Sequence, residues 1–334
     1  MTEPEHLVIF SLVTFCVSVI AALFMLGNPV AKTRRAKLVN RYFAACFLLL
    51  CAGSAFFLFR SAIFEPLSLV FTNLLFVVGL YCLKYGLLWR RGHTLHLAKN
   101  REAFKHMSLF VLSQLLLWWA VDDSLPWRTL NLSANAIALM LFCLPLINLS
   151  RTQTALFGER YTWYSLNFLT ISFAILPLTY WLSDSIGQFQ SWVLVLCLLG
   201  LFVLFAGLQC LLMSDAIEEH YQTSIRDPLT GIFNRRYFFQ QVKQVAAMQQ
   251  PNTINSVLLI DIDHFKDINE HYGHDVGDAV ITHFAHLLTD LTGNKGLVSR
   301  FAGEEFAILL RQHSLPDALK FAEQLRHASQ SVEL

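Results

Sequence analysis

The sequence predicts a chain of two unlike parts, an α-helical membrane bundle of about seven spans followed by a smaller cytoplasmic α/β domain. Three observations lead there. Hydrophobic residues make up 55% of the 334 residues and charged residues only 15%, far from the mix of an ordinary soluble protein. The apolar residues gather in long runs between Leu7 and Met213. After Asp227 the runs shorten and follow the periods of strands and amphipathic helices.

Seven runs are long enough, or nearly so, to cross a hydrocarbon core of about 30 Å. They lie at 7–26, 42–59, 68–89, 107–121, 129–149, 162–182 and 190–213, the second and fourth being the shortest. Backbone polar groups in lipid must be satisfied within the segment, so these runs are expected to be helices. Glu3 and Glu5 precede the first run instead of a basic region, which argues against a cleaved signal peptide.

The loops set the orientation. Stretches 27–41, 90–106 and 150–161 carry twelve Lys and Arg between them, whereas the alternate loops carry only Arg60 and Arg128. The positive-inside rule then puts the N-terminus outside and everything after Met213 in the cytoplasm, as a multi-pass protein of the inner (cytoplasmic) membrane. All seven cysteines fall within apolar runs with no metal-ligand spacing, so they read as small buried hydrophobes. Lys84, near a cytoplasmic end, is expected to snorkel. Gln114, Asn131, Asn135 and Asn167 are expected to bond between helices.

Residues 214–226 are polar, with Ile217, Tyr221 and Ile225 spaced as a helical stripe. This predicts a linker or stalk that continues the seventh span. Domain boundaries follow as 1–213, 214–226 and 227–334. In the last part Phe238, Val242, Val245 and Ala246 mark a helix, and Ser256–Ile260 reads as a buried strand. Val280, Ile281, Phe284, Leu287, Leu288 and Leu291 mark a second amphipathic helix, and Pro316–Ser329 a further one. Leu297–Phe301 and Phe306–Leu310 read as a β-hairpin with Glu304 and Glu305 in its four-residue turn.

The first strand ends in Asp261–Ile262–Asp263. If the hairpin pairs beside it, Asp261, Glu304 and Glu305 gather at one edge, a donor set suited to a hard divalent cation. Surface turns are often acidic, so spacing alone leaves a plain solvated turn open.

Three segments sharpen the reading: DPLTGIFNRRYF at 227–238, DIDHFKDINEHYGHDVGD at 261–278 and RFAGEEFAILL at 300–310. In order and spacing they resemble the motifs of the GGDEF family of diguanylate cyclases. The resemblance covers roughly residues 227–325. It implies an adenylate-cyclase-like or polymerase-palm-like βαββαβ sheet that condenses two GTP molecules into cyclic di-GMP, one held by each domain of a homodimer. It implies Mg²⁺ or Mn²⁺ bound by Asp261, the carbonyl of Ile262 and Glu304. Glu304, assisted by Glu305, would accept the 3′-hydroxyl proton. Asn269 and Asp278, with His274 nearby, would hold the guanine edge. Phe265 and Lys266, at the turn after the strand, would cradle phosphate, with Lys266 offsetting charge at phosphorus. The partners implied are GTP, a second copy and the lipid bilayer, and no nucleic acid.

The chain departs from the family pattern at three places. Ala302 stands where the family has Gly, a position where positive φ or close ligand approach would matter. The family's RxxD product-inhibition motif would fall at 293–296, which reads Gly-Asn-Lys-Gly, so feedback through that site is not expected. The residues run to Leu334, with SVEL as the opening of a next strand, so the domain is expected to lack its C-terminal part. That expectation carries an alternative to the enzyme, an inactive module that binds GTP or a partner.

Overall fold

A computed structural model describes residues 5–28, 33–58, 65–93, 97–121, 124–148, 153–248 and 254–330. The expected strand opening at 331–334 lies outside them. The chain divides into two compact units, Met1–Glu218 and Glu219–Leu334.

The first unit is helical: α1 (Glu5–Leu26), α2 (Arg34–Leu58), α3 (Glu65–Arg90), α4 (Leu97–Ala120), α5 (Leu125–Cys143), α6 (Gln153–Trp181) and α7 (Ile186–Ser224). Among the described residues each of the seven apolar runs thus falls largely in one long helix, although in the fifth α5 stops at Cys143 and a 3-10 turn follows over Leu144–Leu146. Five of them, α1, α2, α3, α5 and α7, are long and apolar enough to cross a membrane. Helices α4 and α6 fall outside that group because charged residues open α4 and Ser, Thr, Asn and Tyr interrupt α6. Helix α7 spans 39 residues without a break. At 1.5 Å per residue it is about 58 Å long, twice a hydrocarbon core. Ile217 and Tyr221 remain exposed on its last turns, while Ile225, one residue past its end, is buried.

The polar residues of the helical unit are mostly paired. Gln114 and Arg128 bond to one another between α4 and α5. Asn131 donates to Ser113 Oγ at 2.7 Å, and Asn135 meets His106 at 2.8 Å. His106 also meets the Tyr81 hydroxyl on α3 at 3.1 Å. Asn167 differs from expectation and donates within its own helix to the Trp163 carbonyl. Lys84 does not simply reach outward: its ammonium lies 4.8 Å from the Phe142 ring and 5.6 Å from that of Tyr81. At one end, Arg90 of α3 bonds Glu159 of α6 at 2.9 Å and Asp215 of α7 at 2.6 Å, with Glu159 almost fully buried. Cys46, Cys51 and Cys143 are buried, but Cys16 and Cys197 are exposed on the helical surface.

The second unit contains β1 (Phe233–Asn234), α8 (Arg235–Ala247), β2 (Ser256–Ile260), α9 (Phe265–Tyr272), α10 (His274–Thr292), β3 (Gly296–Ala302), β4 (Glu305–Leu310) and α11 (Leu315–Gln330). Its mixed sheet has the order β1-β3-β4-β2. β1 runs parallel to β3, while β4 is antiparallel to both β3 and β2.

Strand β4 explains the two-faced core. Alternate residues point to opposite faces. Phe306, Ile308 and Leu310 join Val280, Ile281, Leu288 and Phe321 of α10 and α11 on one side. Ala307 and Leu309 join Phe238 of α8 on the other. A strand covered on both faces must be continuously apolar, as Phe306–Leu310 is.

Candidate active site

The site begins where β2 stops. Ser256–Ile260 pairs along β4, with Ile260 opposite Phe306. The residues just past Ile260 therefore leave the sheet at the end where β4 begins. Asp261 is exposed and Ile262 half-buried there. The chain turns through Asp263 and His264, and His264 adopts the left-handed conformation at φ 57°. That is uncommon for a residue with a side chain, though His is among those that tolerate it. Its Nδ1 lies 3.2 Å from Asp267 Oδ2.

Phe265 and Lys266 open α9 and do not lie in the turn that the spacing predicts. Their N–H groups belong to the first turn of a helix, where such groups lack intrahelical partners and favour anions. The Phe265 ring itself is buried in the core beside Ile268 and Val280. Only its backbone is open to a ligand. Lys266 is exposed and lies 3.5 Å from Glu270 one turn on.

Hairpin β3–β4 is tighter than expected. Ala302 pairs with Glu305, leaving Gly303 and Glu304 as a two-residue turn. Glu304 is thus in the turn and half-buried, while Glu305 is the exposed first residue of β4. Gly303 has φ +45°, which glycine adopts at no steric cost.

Arg300 braces this turn. Its Nε donates to the Gly303 carbonyl at 2.8 Å, and its Nη1 lies 3.1 Å from Asp227 Oδ1. Asp227 also accepts from the Thr230 N–H and hydroxyl. Partial burial works against the Asp227 carboxylate, but the Thr230 hydrogen bonds and the Arg300 guanidinium outweigh it and hold its pKa below the ordinary value of 3.8. The same corner ties in the end of α7, because Asn234 Nδ2 donates to the Ser224 carbonyl at 2.8 Å while its Oδ1 caps α8 at Tyr237.

Asn269 and Asp278 come from neighbouring helices. Gly273, at φ 84°, closes α9 and opens α10, and its N–H donates to the Asn269 carbonyl. The positive φ turns the chain between the two helices, and only glycine adopts it freely. His274 and Asp278 are exposed on the first turns of α10.

This donor set is of the type that suits a hard divalent cation. Asp261 and Glu304 supply carboxylate oxygens and Ile262 a carbonyl at one end of the paired strands. Every cysteine lies at or before position 210, so no thiolate competes within this unit. Among the described residues no three His, Cys, Asp or Glu side chains gather closely enough to enclose a metal. Two carboxylates and a carbonyl would make a partial shell, of the kind Mg²⁺ completes with water and substrate phosphates.

The family model for the diguanylate cyclase GGDEF domain matches residues 224–334. Those residues are a GGDEF domain. The chain is 40% identical over 124 residues to the response regulator PleD of Caulobacter vibrioides, an alignment covering 36% of this chain and 27% of that protein. It is 32% identical over 195 residues to the probable diguanylate cyclase DgcT of Escherichia coli K12, covering 58% of this chain and 36% of the relative. The chain thus spans about a third of the length of these relatives. The DgcT alignment is longer than the GGDEF domain, so likeness extends into the helical unit, where the sequence alone suggests no relative. Among solved structures, the coiled coil and GGDEF domain of DgcB from Caulobacter crescentus, determined with c-di-GMP, covers 36% of this chain and 64% of its own at 25% identity. Its TM-score of 0.35 adds nothing to the assignment.

Within the GGDEF domain two departures become interpretable. Ala302 is not among the residues of positive φ, so the backbone there accepts a Cβ. Residues 293–295 form a 3-10 turn leading into β3. A Cβ at Gly296 would come within 2.6 Å of the Leu309 carbonyl, so that glycine serves sheet packing. Arg300, Asp227 and Gly303 form a brace that carries no signal in periodicity. The acid and base are 73 positions apart and meet only in the fold.

Proposed function

We propose that this chain is a membrane-anchored diguanylate cyclase, a nucleotidyltransferase that condenses two GTP molecules into cyclic di-GMP. The GGDEF match over residues 224–334, with Asp261 and Glu304 at the shared end of β2 and β4, carries the reading. Membrane attachment is supported by the long apolar helices and by 38% identity over 101 residues to an uncharacterized membrane protein of Staphylococcus epidermidis. In the proposed arrangement all seven helices cross the inner membrane, the N-terminus is outside and the GGDEF domain is cytoplasmic. The helical unit would set the activity through α7.

Asp261, the Ile262 carbonyl and Glu304 would hold Mg²⁺ or Mn²⁺, which neutralises phosphate charge and polarises the phosphoryl oxygens. Asn269 and Asp278 would hydrogen-bond the guanine edge, with His274 beside it. The first N–H groups of α9, at Phe265 and Lys266, would receive phosphate oxygens, and the Lys266 ammonium would leave Glu270 to offset developing charge. Glu304, with Glu305 adjacent, would accept the proton as the 3′-oxygen forms its bond to the α-phosphorus and pyrophosphate departs. One domain holds one GTP, so the full reaction would need a homodimer.

The test is incubation of membranes carrying the chain with GTP and Mg²⁺, reading cyclic di-GMP. Product is expected, and Glu304→Ala should abolish it. Retained product in that variant would overturn the assignment of Glu304. GTP binding without product would point instead to a non-catalytic binding module.

A further inference from the structure

Gly277 lies at the start of α10, buried, one residue before Asp278. Its N–H donates to the Gly273 carbonyl at 3.2 Å, within the first helical turn. A helix position of this kind ordinarily favours Ala over Gly, so the absence of a side chain needs another reason. The surroundings supply it. A Cβ at Gly277 would overlap Asn269 Oδ1, fall 3.0 Å from Asn269 Cγ and 3.2 Å from the Phe265 ring tip. The Asn269 carboxamide therefore rests against the bare backbone of α10.

We infer that Gly277 is a positioning residue for nucleotide choice: its missing side chain makes the space that the Asn269 carboxamide occupies against the first turn of α10, which also carries Asp278. This rests on the reading of the domain as a GTP site. Asn269 is half-buried on α9 and Asp278 exposed on α10. Two polar groups on separate helices can read one base edge only if the helices meet closely. Any side chain at 277 would displace the carboxamide, because the backbone of α10 cannot give way and Phe265 is fixed in the core. Phosphate contacts at α9 would be left intact. The loss should fall on base discrimination and not on binding of nucleotides in general.

The test measures dissociation constants of GTP and ATP for the detergent-solubilised full chain, by equilibrium dialysis. Wild type should prefer GTP. Gly277→Ala should weaken GTP binding roughly tenfold, the scale of one lost hydrogen bond, and leave ATP binding unchanged. In an Asn269→Ala background, Gly277→Ala should change neither constant, since the displaced group is already gone. If Gly277→Ala alone misfolds, the double variant should fold again and bind like Asn269→Ala. An unchanged GTP preference in Gly277→Ala overturns the inference and leaves the GTP site standing. So does an equal loss for both nucleotides, a further loss in the Asn269→Ala background, or a double variant that stays misfolded. No GTP preference in wild type overturns the site reading and this inference together.

Discussion

Ala302 and Gly303 show how adjacent residues of one motif answer to different constraints. Ala302 ends β3 with ordinary dihedrals, whereas Gly303 sits at φ +45°. Replacing Ala302 by Gly should shift stability by less than about 1 kcal/mol. Replacing Gly303 by Ala, although nothing lies within 4 Å of the added carbon, should cost about 1 kcal/mol through the backbone alone. Hydrogen exchange across 300–310 would register the second change and not the first. Arg300→Ala removes two contacts at once, to Asp227 and to the Gly303 carbonyl. A charge-assisted hydrogen bond contributes about 1.5–3 kcal/mol, and faster exchange over 226–238 is the expected sign. The same pair predicts a pH response. Because the folded-state pKa of Asp227 is lowered, its contribution is present above the ordinary aspartate value of 3.8 and is lost as pH falls through the folded value. In Arg300→Ala the acid sensitivity of these amides should shrink.

At the scale of elements, burial on two faces and pairing along an edge account for the domain. Strand β4 was legible as apolar because both its faces are covered, and α10 was legible because its buried side is continuous. The hairpin turn was misjudged by two residues, since Ala302 and Glu305 pair although neither favours a strand by composition. Phe265 and Lys266 read as a turn because α9 has only eight residues, too few to establish a period. In the helical unit the clearest elemental bond is Arg90 with Glu159 and Asp215, joining α3, α6 and α7. The Arg90 side chain is 8% exposed and that of Glu159 1%. Removing the cation would leave a buried carboxylate, so Arg90→Ala should destabilise the unit by about 3–5 kcal/mol. All seven tryptophans lie at or before position 192, so their fluorescence on heating reports this unit alone.

For the molecule as a whole, the two units have separate cores. Denaturant should therefore reveal two transitions, one in tryptophan fluorescence and another in exchange over 227–325; a single coincident transition would contradict independent cores. The membrane arrangement has its own test in the stretch 150–161, whose residues from Gln153 on open α6. With seven spans that stretch is cytoplasmic. If only the five most apolar helices cross, it lies outside. A cysteine placed at Arg151, ahead of α6, is expected to resist a membrane-impermeant thiol reagent applied from outside.

The sequence by itself determined the division into a lipid-suited helical part and an α/β domain, because hydropathy and period are local properties of the chain. It also determined the family of that domain, since three motifs stand in order with intact carboxylates at Asp261 and Glu304. Only the tertiary structure decided that β4 brings the ends of β2 and β3 together, and that Arg300 braces the Glu304 turn against Asp227. It alone shows Gly277 against Asn269, whereas the helical run of α7 to Ser224 follows the stripe at Ile217, Tyr221 and Ile225. Such contacts depend on which distant residues meet, and no local pattern encodes the meeting. The GGDEF domain beginning near Asp227 is thus named by its motifs, while the geometry of its site belongs to the fold.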